Sequence, residues 1–182
     1  MELVPKEMFL TKGVGRHREQ LTSFELALRD AGIEHVNLVT VSSIFPPKCK
    51  LIPRKRGEQM LADGQIVFCV MSRTSTDEAF RMAACSIGVA IPGDPKKYGY
   101  LSEHHSYGQN EKTAGDYAED LAASMLASTL GIELDLDRAW DQRKKEWKIG
   151  RQIVRTSNIC QTALGKNGLW TTVIAAGVFC KY

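Results

Sequence analysis

The chain has 182 residues, 43% of them hydrophobic and 25% charged, with a formal net charge of +3 at pH 7. That length suits one domain with a sizeable core, and the composition is that of an ordinary globular protein. No stretch approaches the ~18 unbroken apolar residues of a membrane span, and +3 is too slight a charge to argue for nucleic acid, so neither partner is expected.

The opening MELVPKEMFLTKG carries Glu2, Pro5 and Lys6 where a signal peptide would have a basic and then an apolar region, which predicts a cytoplasmic protein. Cys49, Cys69, Cys85, Cys160 and Cys180 are odd in number and widely spaced, and read as small core residues of a reducing compartment.

Next, EMFLTKGVG is short, half apolar and closed by glycine, which predicts a strand running into a turn. A helix is expected over about 20–31, with Thr22 and Glu25 as a capping box, Phe24, Ala27, Leu28 and Ala31 as its apolar face and Gly32 at its left-handed end. VNLVTV reads as a strand, LIP beyond the prolines as extended chain, and QIVFCVMSRTS as a long β-branched and aromatic strand.

EAFRMAACSIGVAIPGD sets Ala and Met, which favour helix, against Ser86, Gly88, Val89, Ile91 and a closing Pro-Gly, and strand is the reading adopted. Its small residues leave room for another layer to approach closely. YGYLSEHHSYG reads as a strand ending at a glycine turn. EKTAGDYAEDLAASMLASTLG is the clearest helix, with Ala114, Ala118, Leu121, Met125 and Leu126 as its buried stripe and Gly131 at its end. A short helix is expected within 136–147, and QIVRTSNICQTAL and WTTVIAAGVFC then form a strand pair. Two strong helices among long strand connections indicate an α+β or layered α/β architecture, with no repeat or linker to divide it.

Several chemistries lack their signatures. There is no G-x-S-x-G elbow, Walker A loop, H-E-x-x-H or complete G-x-G-x-x-G. The basic runs PRKRG and DQRKKEWKIGR read as solvated faces with counter-charges nearby. Glu103, His104 and His105 have the right chemistry for a metal, but on a strand His104 points away from the other two, so no metal site is expected. Glu103 by itself, at a strand end beside Tyr100 and Leu101, is a candidate general acid if burial raises its pKa.

NLVTVSSIFPP poses the main question. A serine pair at a strand end is ordinarily a turn or cap. Here Pro46 and Pro47 force extended geometry on Phe45 and remove two donors, so the segment cannot coil to satisfy Ser42 and Ser43. A serine held beside a backbone carbonyl in strained geometry has another option, attack on the preceding peptide bond.

With Asn37 five residues before Ser42, an apolar pair and Pro-Pro, NLVTVSSIFPP resembles the self-cleavage site of the pyruvoyl-dependent arginine decarboxylases. SFELALRDAGIEHVNLV is similar to the helix and strand before that site, SIGVAIPGD to the family's small-residue strand, GYLSEHH to the strand carrying the catalytic glutamate and AAGVFCKY to the closing strand. Segment 131–158 has no such likeness.

The resemblance implies an α+β fold layered as an αββα sandwich, a single domain cut into chains 1–42 and 43–182. Ser43 Oγ would attack the Ser42 carbonyl, the resulting ester would eliminate, and a pyruvoyl group derived from Ser43 would remain as the covalent cofactor, with no metal and no pyridoxal phosphate. Asn37 would stabilise the oxyanion. The pyruvoyl ketone would form a Schiff base with L-arginine, carbon dioxide would leave, and Glu103 would protonate the α carbon to give agmatine, for polyamine synthesis or acid resistance.

Glu25 would meet the guanidinium and Leu28 would wall the aliphatic stem, with Glu standing where the family usually has Asp. The family assembles as trimers with sites between neighbours, which implies a homotrimer in which Glu103 acts across an interface. A pyruvoyl decarboxylase of another amino acid such as histidine, and an unprocessed trimeric binding protein without activity, remain open on the sequence.

Overall fold

The computed structural model describes residues 3–131 and 153–182. The helix expected within 136–147 and the basic run at 141–151 lie outside them.

Strand β1 (Glu7–His17) is longer than expected and runs straight through its glycines instead of turning. A Cβ at Gly13 would run into the Ala27 carbonyl and the Ala31 backbone of the next helix, so this glycine seats a helix on the strand. That helix, α1 (Gln20–Asp30), starts before the expected capping box: Glu19 is its N-cap, without a side-chain cap bond, and Thr22 lies inside the helix. Ser23, buried, bonds to the Gln20 carbonyl at 2.7 Å and shares a hydrogen bond with Thr172 at 2.6 Å, tying α1 to the sheet below.

The chain continues through β2 (Asn37–Thr40), β3 (Ile44–Phe45), β4 (Lys50–Leu51), the short helix α2 (Arg54–Glu58) and β5 (Ile66–Thr76). Next come β6 (Met82–Pro92), β7 (Gly99–Tyr107), α3 (Glu111–Thr129), β8 (Ile153–Leu164) and β9 (Trp170–Lys181). The basic run PRKRG is the unforeseen α2, and both of its arginines are paired: Arg54 meets Glu58 at 2.5 Å and Arg56 meets Glu7 at 3.1 Å.

Among the described residues the strands make two sheets, one ordered β2-β5-β9-β1-β4 and the other β3-β7-β6-β8. This bears out an α+β fold. The expected β8–β9 pair is not made. β8 pairs antiparallel with β6, and β9 pairs with β1 and β5 in the other sheet. The sequence leads from one strand to the next, but β9 is buried along nearly its whole length and belongs at the centre of the larger sheet, not beside an edge strand.

Both sheets contribute to one core: Met8, Val70, Val173 and Phe179 from the first, Phe45, Ile87, Val89 and Leu101 from the second. Helix α1 packs against the larger sheet through Ala27 and Ala31 over Phe9, Val67 and Ile174, with Phe24 and Leu28 partly buried beside them. Helix α3 packs on the smaller sheet through Ala122, Ala123, Leu126 and Ala127 near Ala90, and through Ala114 near Ala84 and Cys160. Its buried stripe is turned from the expected one, since Leu121 and Met125 are only partly covered. The reason is the small-residue surface beneath. Ser86 donates to the Ala114 carbonyl at 2.8 Å, Ser102 donates to the Ala118 carbonyl, and a Cβ at Gly88 would strike that same carbonyl. Alanines therefore face the sheet, because nothing larger fits at that spacing.

The cysteines are free, four buried and Cys49 half-buried, and burial pushes the thiols of Cys49 and Cys69 up to about 12.

The close seat of α3 has a measurable consequence. Gly88→Ala should destabilise the fold by about 1–3 kcal/mol, the usual cost of forcing extra volume into a packed layer. Urea unfolding monitored by circular dichroism measures it, and an unchanged midpoint would show that α3 does not rest on this position.

Candidate functional site

Ser42 and Ser43 occupy the step between the two sheets. The last bond of the β2 side is from the Val41 N–H to the Cys69 carbonyl at 2.9 Å, within the larger sheet. The first bond on the other side is from the Leu101 N–H to the Ser43 carbonyl at 2.8 Å, within the smaller sheet. Between them, the Ile44 N–H folds back onto the Ser42 carbonyl at 2.9 Å, a three-residue turn centred on Ser43.

The residues after the serines explain the firm exit. Ile44 pairs with Tyr100 and Phe45 with Gly99, and Phe45 is 2% exposed, buried between the sheets with Pro46 beside it. The chain then turns through Lys48, at φ 61°, and returns to the far edge of the larger sheet, where β4 runs parallel to β1. Its visit to the smaller sheet lasts only for β3. Ser43, just before β3, is half-buried, and the Leu101 N–H on its carbonyl makes Leu101 its neighbour on β7.

Glu103 lies two residues along β7 from Leu101, on the same face. Diagonal neighbours across a strand pair are ~7–8 Å apart, so the structure brings Glu103 and Ser43 into one locality of a single chain. β2 ends at Thr40, so among the described residues no strand lies beside the edge of β5 beyond Cys69. The Met71 N–H on that edge donates to the Glu103 carboxylate. Glu103 is exposed on its outer side, yet the wall of β5 strips water from the other, and this desolvation pushes its carboxyl above the usual carboxylate range. The Met71 bond and nearby His105 oppose the shift without cancelling it.

β5 and β7 are further fastened by Ser72, which donates to the His104 carbonyl at 2.6 Å, and by Tyr107, whose hydroxyl donates to the Ser75 carbonyl at 2.7 Å. His104 turns to the opposite face, against Tyr117 and Gln109, as strand alternation requires. Sequence reading missed Met71, Ser72 and Phe45. Only Phe45 left a trace, as an apolar residue in an otherwise turn-like segment, because the other two act through contacts between sheets.

The remaining candidates lie elsewhere in the chain. Asn37 opens β2, exposed, and its amide donates to the Gly64 carbonyl at 2.9 Å. Four strand steps of ~3.3 Å put it about 13 Å from Val41, so one chain does not bring its amide to the Ser42 carbonyl. Glu25 is on α1, paired with Arg29 at 2.7 Å, and Leu28 packs into the layer between α1 and the larger sheet. A pocket of about 390 Å³ adjoins the crossover, lined by Val41, Ser42, Ile44, Pro46, Phe68 and Tyr182 among others. Among the described residues that line it there is no Asp or Glu.

Comparison with known proteins identifies the family. The family model for pyruvoyl-dependent arginine decarboxylase matches residues 7–182, including the segment that the motif likeness did not reach. A probable pyruvoyl-dependent arginine decarboxylase of Chloroherpeton thalassium is 61% identical over 179 residues, covering 98% of each chain. The pyruvoyl-dependent arginine decarboxylase of Methanococcoides burtonii is 56% identical over 178 residues, 97% of this chain and 99% of that one. That of Nitrosopumilus maritimus is 55% identical over 179 residues, 98% of each. With the serine pair at a pinned crossover, Glu103 beside it and a match that spans the fold, the chain belongs to the pyruvoyl-dependent arginine decarboxylase family.

Proposed function

We propose that this protein cuts itself between Ser42 and Ser43 and then decarboxylates L-arginine to agmatine. The observation that carries the proposal is the Ser42–Ser43 peptide strung between two sheets with Glu103 one diagonal step away. In the cut, Ser43 Oγ adds to the Ser42 carbonyl carbon, and the proton it sheds goes to the Ser43 nitrogen as the C–N bond breaks. An ester remains; its β-elimination releases a chain ending in the Ser42 carboxylate and leaves dehydroalanine at 43, which tautomerises and is hydrolysed to the pyruvoyl group with loss of ammonia. Attack by a neutral hydroxyl is slow, and fixing it against its target is worth several kcal/mol of barrier.

Ser43 fits as the source of the pyruvoyl group because it stands, half-buried, at the very position where chain 43–182 would begin. That group supplies a carbonyl for the substrate's amino group and a sink for the electrons left as carbon dioxide departs. Glu103 supplies the proton at the α carbon, a role that its raised pKa supports. Glu25, with Leu28 alongside, is the proposed guanidinium partner. One chain keeps Glu25 and Asn37 away from Ser43, which favours a homotrimer in which a neighbour completes the site. The two sheets with α1 on one and α3 on the other are read as an αββα sandwich forming one domain over residues 1–182, working in the cytoplasm.

Ser43→Ala should abolish both cleavage and carbon dioxide release; mass spectrometry of the purified chain and a ¹⁴CO₂ assay measure them, and retained activity would refute the assignment. Glu103→Gln should cleave normally yet lose most turnover, and a fully active variant would remove Glu103 from the chemistry. With Glu103 as the proton donor, kcat should fall as pH rises through its elevated pKa. The same profile in Glu103→Gln should lack that limb. A panel of amino acids in the carbon dioxide assay tests the substrate, and release from histidine in preference to arginine would overturn that part.

A further inference from the structure

The turn centred on Ser43 has a property that its flanking bonds do not explain. In the antiparallel ladder between β3 and β7, the Leu101 N–H reaches the Ser43 carbonyl while Ile44 stands opposite Tyr100. Ile44 is thus at a non-hydrogen-bonded position, with its backbone groups turned away from β7. Its N–H is spared from the ladder and donates to the Ser42 carbonyl oxygen at 2.9 Å. The φ of Ser43 is not positive, so the turn is of the common inverse kind.

That oxygen is the atom on which negative charge appears when Ser43 Oγ adds to the Ser42 carbonyl carbon. Asn37, the side chain expected to meet it, is occupied with the Gly64 carbonyl at the other end of β2. On the reading that the chain cleaves itself at Ser42–Ser43, we infer that the Ile44 backbone N–H is an oxyanion donor of the cut, supplied by the chain being cut. The donor belongs to the very turn that carries the scissile bond, so donor, carbonyl and nucleophile are positioned together. Ile44 is held in place by Phe45, buried in the core, and by the Leu101 N–H on Ser43. The step needs no other reactant. The Oγ–C bond forms, the C–N bond breaks, the hydroxyl proton passes to the amine, and the N–H stabilises the intermediate oxyanion and then the ester carbonyl.

The test is Ile44→Pro, which removes the N–H without touching a ladder bond, set against Ile44→Val, which keeps it. Each chain is produced as precursor and its cleavage timed by gel and mass spectrometry. Losing one oxyanion donor typically costs about 10²–10³-fold in rate, so the proline variant should cleave that much more slowly while the valine variant keeps the parent rate. Where proline disturbs the fold, an ester bond in place of the 43–44 amide, introduced with the α-hydroxy acid of isoleucine, deletes the same hydrogen atom and should show the same slowing. Cleavage of a folded proline or ester variant at the parent rate would overturn the inference and leave the self-cleavage reading standing. A parent chain that never cleaves would instead defeat that reading itself.

Discussion

The structure turns on one constraint: a two-residue link whose ends are fastened to different sheets. Val41 is bonded into the larger sheet and Ser43 into the smaller, and those sheets are held face to face by a shared core that includes Phe45 and Leu101. A link anchored in this way cannot relax by local rearrangement, because moving either end means shifting a packed layer, and protein interiors resist that. Pro46 and Pro47 remove the remaining escape, a coil or strand that would draw the serines into ordinary hydrogen bonding. Under the proposed reading this stiffness supplies the orientation that a weak nucleophile needs.

The position of Glu103 depends on the same layering at one remove. α3 sits so close to β6 and β7 that serine hydroxyls and a bare glycine are its contact surface, and Ser102, the residue before Glu103, is bonded directly to the helix backbone. β7 is thereby fixed from outside, while Ser72 fixes it from the side of β5. The carboxyl of Glu103 then has one flank against β5 and one toward water. Desolvation outweighs the Met71 donor and His105, so the proton is held more tightly than on a free glutamate without being sealed from exchange. A proton donor needs both properties.

Elements with strong local signals were legible in the sequence. The β-branched run of β5, the small-residue strand β6 and the alanine-rich α3 were each readable from composition and periodicity. The features that escaped depend on partners remote in the chain. The glycines of β1 resemble a turn until α1 is laid on them, the stripe of α3 rotates because the small residues of β6 let it sit close, and β8 and β9 part because each is claimed by a different sheet. At the site, the serine pair and Glu103 were visible as residue types in suggestive settings, and likeness to a family joined them. The crossover that makes them neighbours was not visible, since nothing in NLVTVSSIFPP says that its two halves enter separate sheets.

The anchors also govern the fate of the two chains after a cut at Ser42–Ser43. Each new end would keep its own fastening, the short chain through Val41 on β5 and the long chain through Ser43 on Leu101. The short chain would retain β1, α1 and β2, with Met8 and Phe9 fully buried and β1 paired to β9 from Glu7 to His17. Eleven residues of antiparallel ladder and two buried core side chains would hold it to the rest of the fold. The break would therefore leave the fold assembled around it, with the Ile44 N–H beside the carbonyl being attacked. A covalent cut at the seam between two sheets gives a new chain end at the site while the scaffold that positions it stays intact.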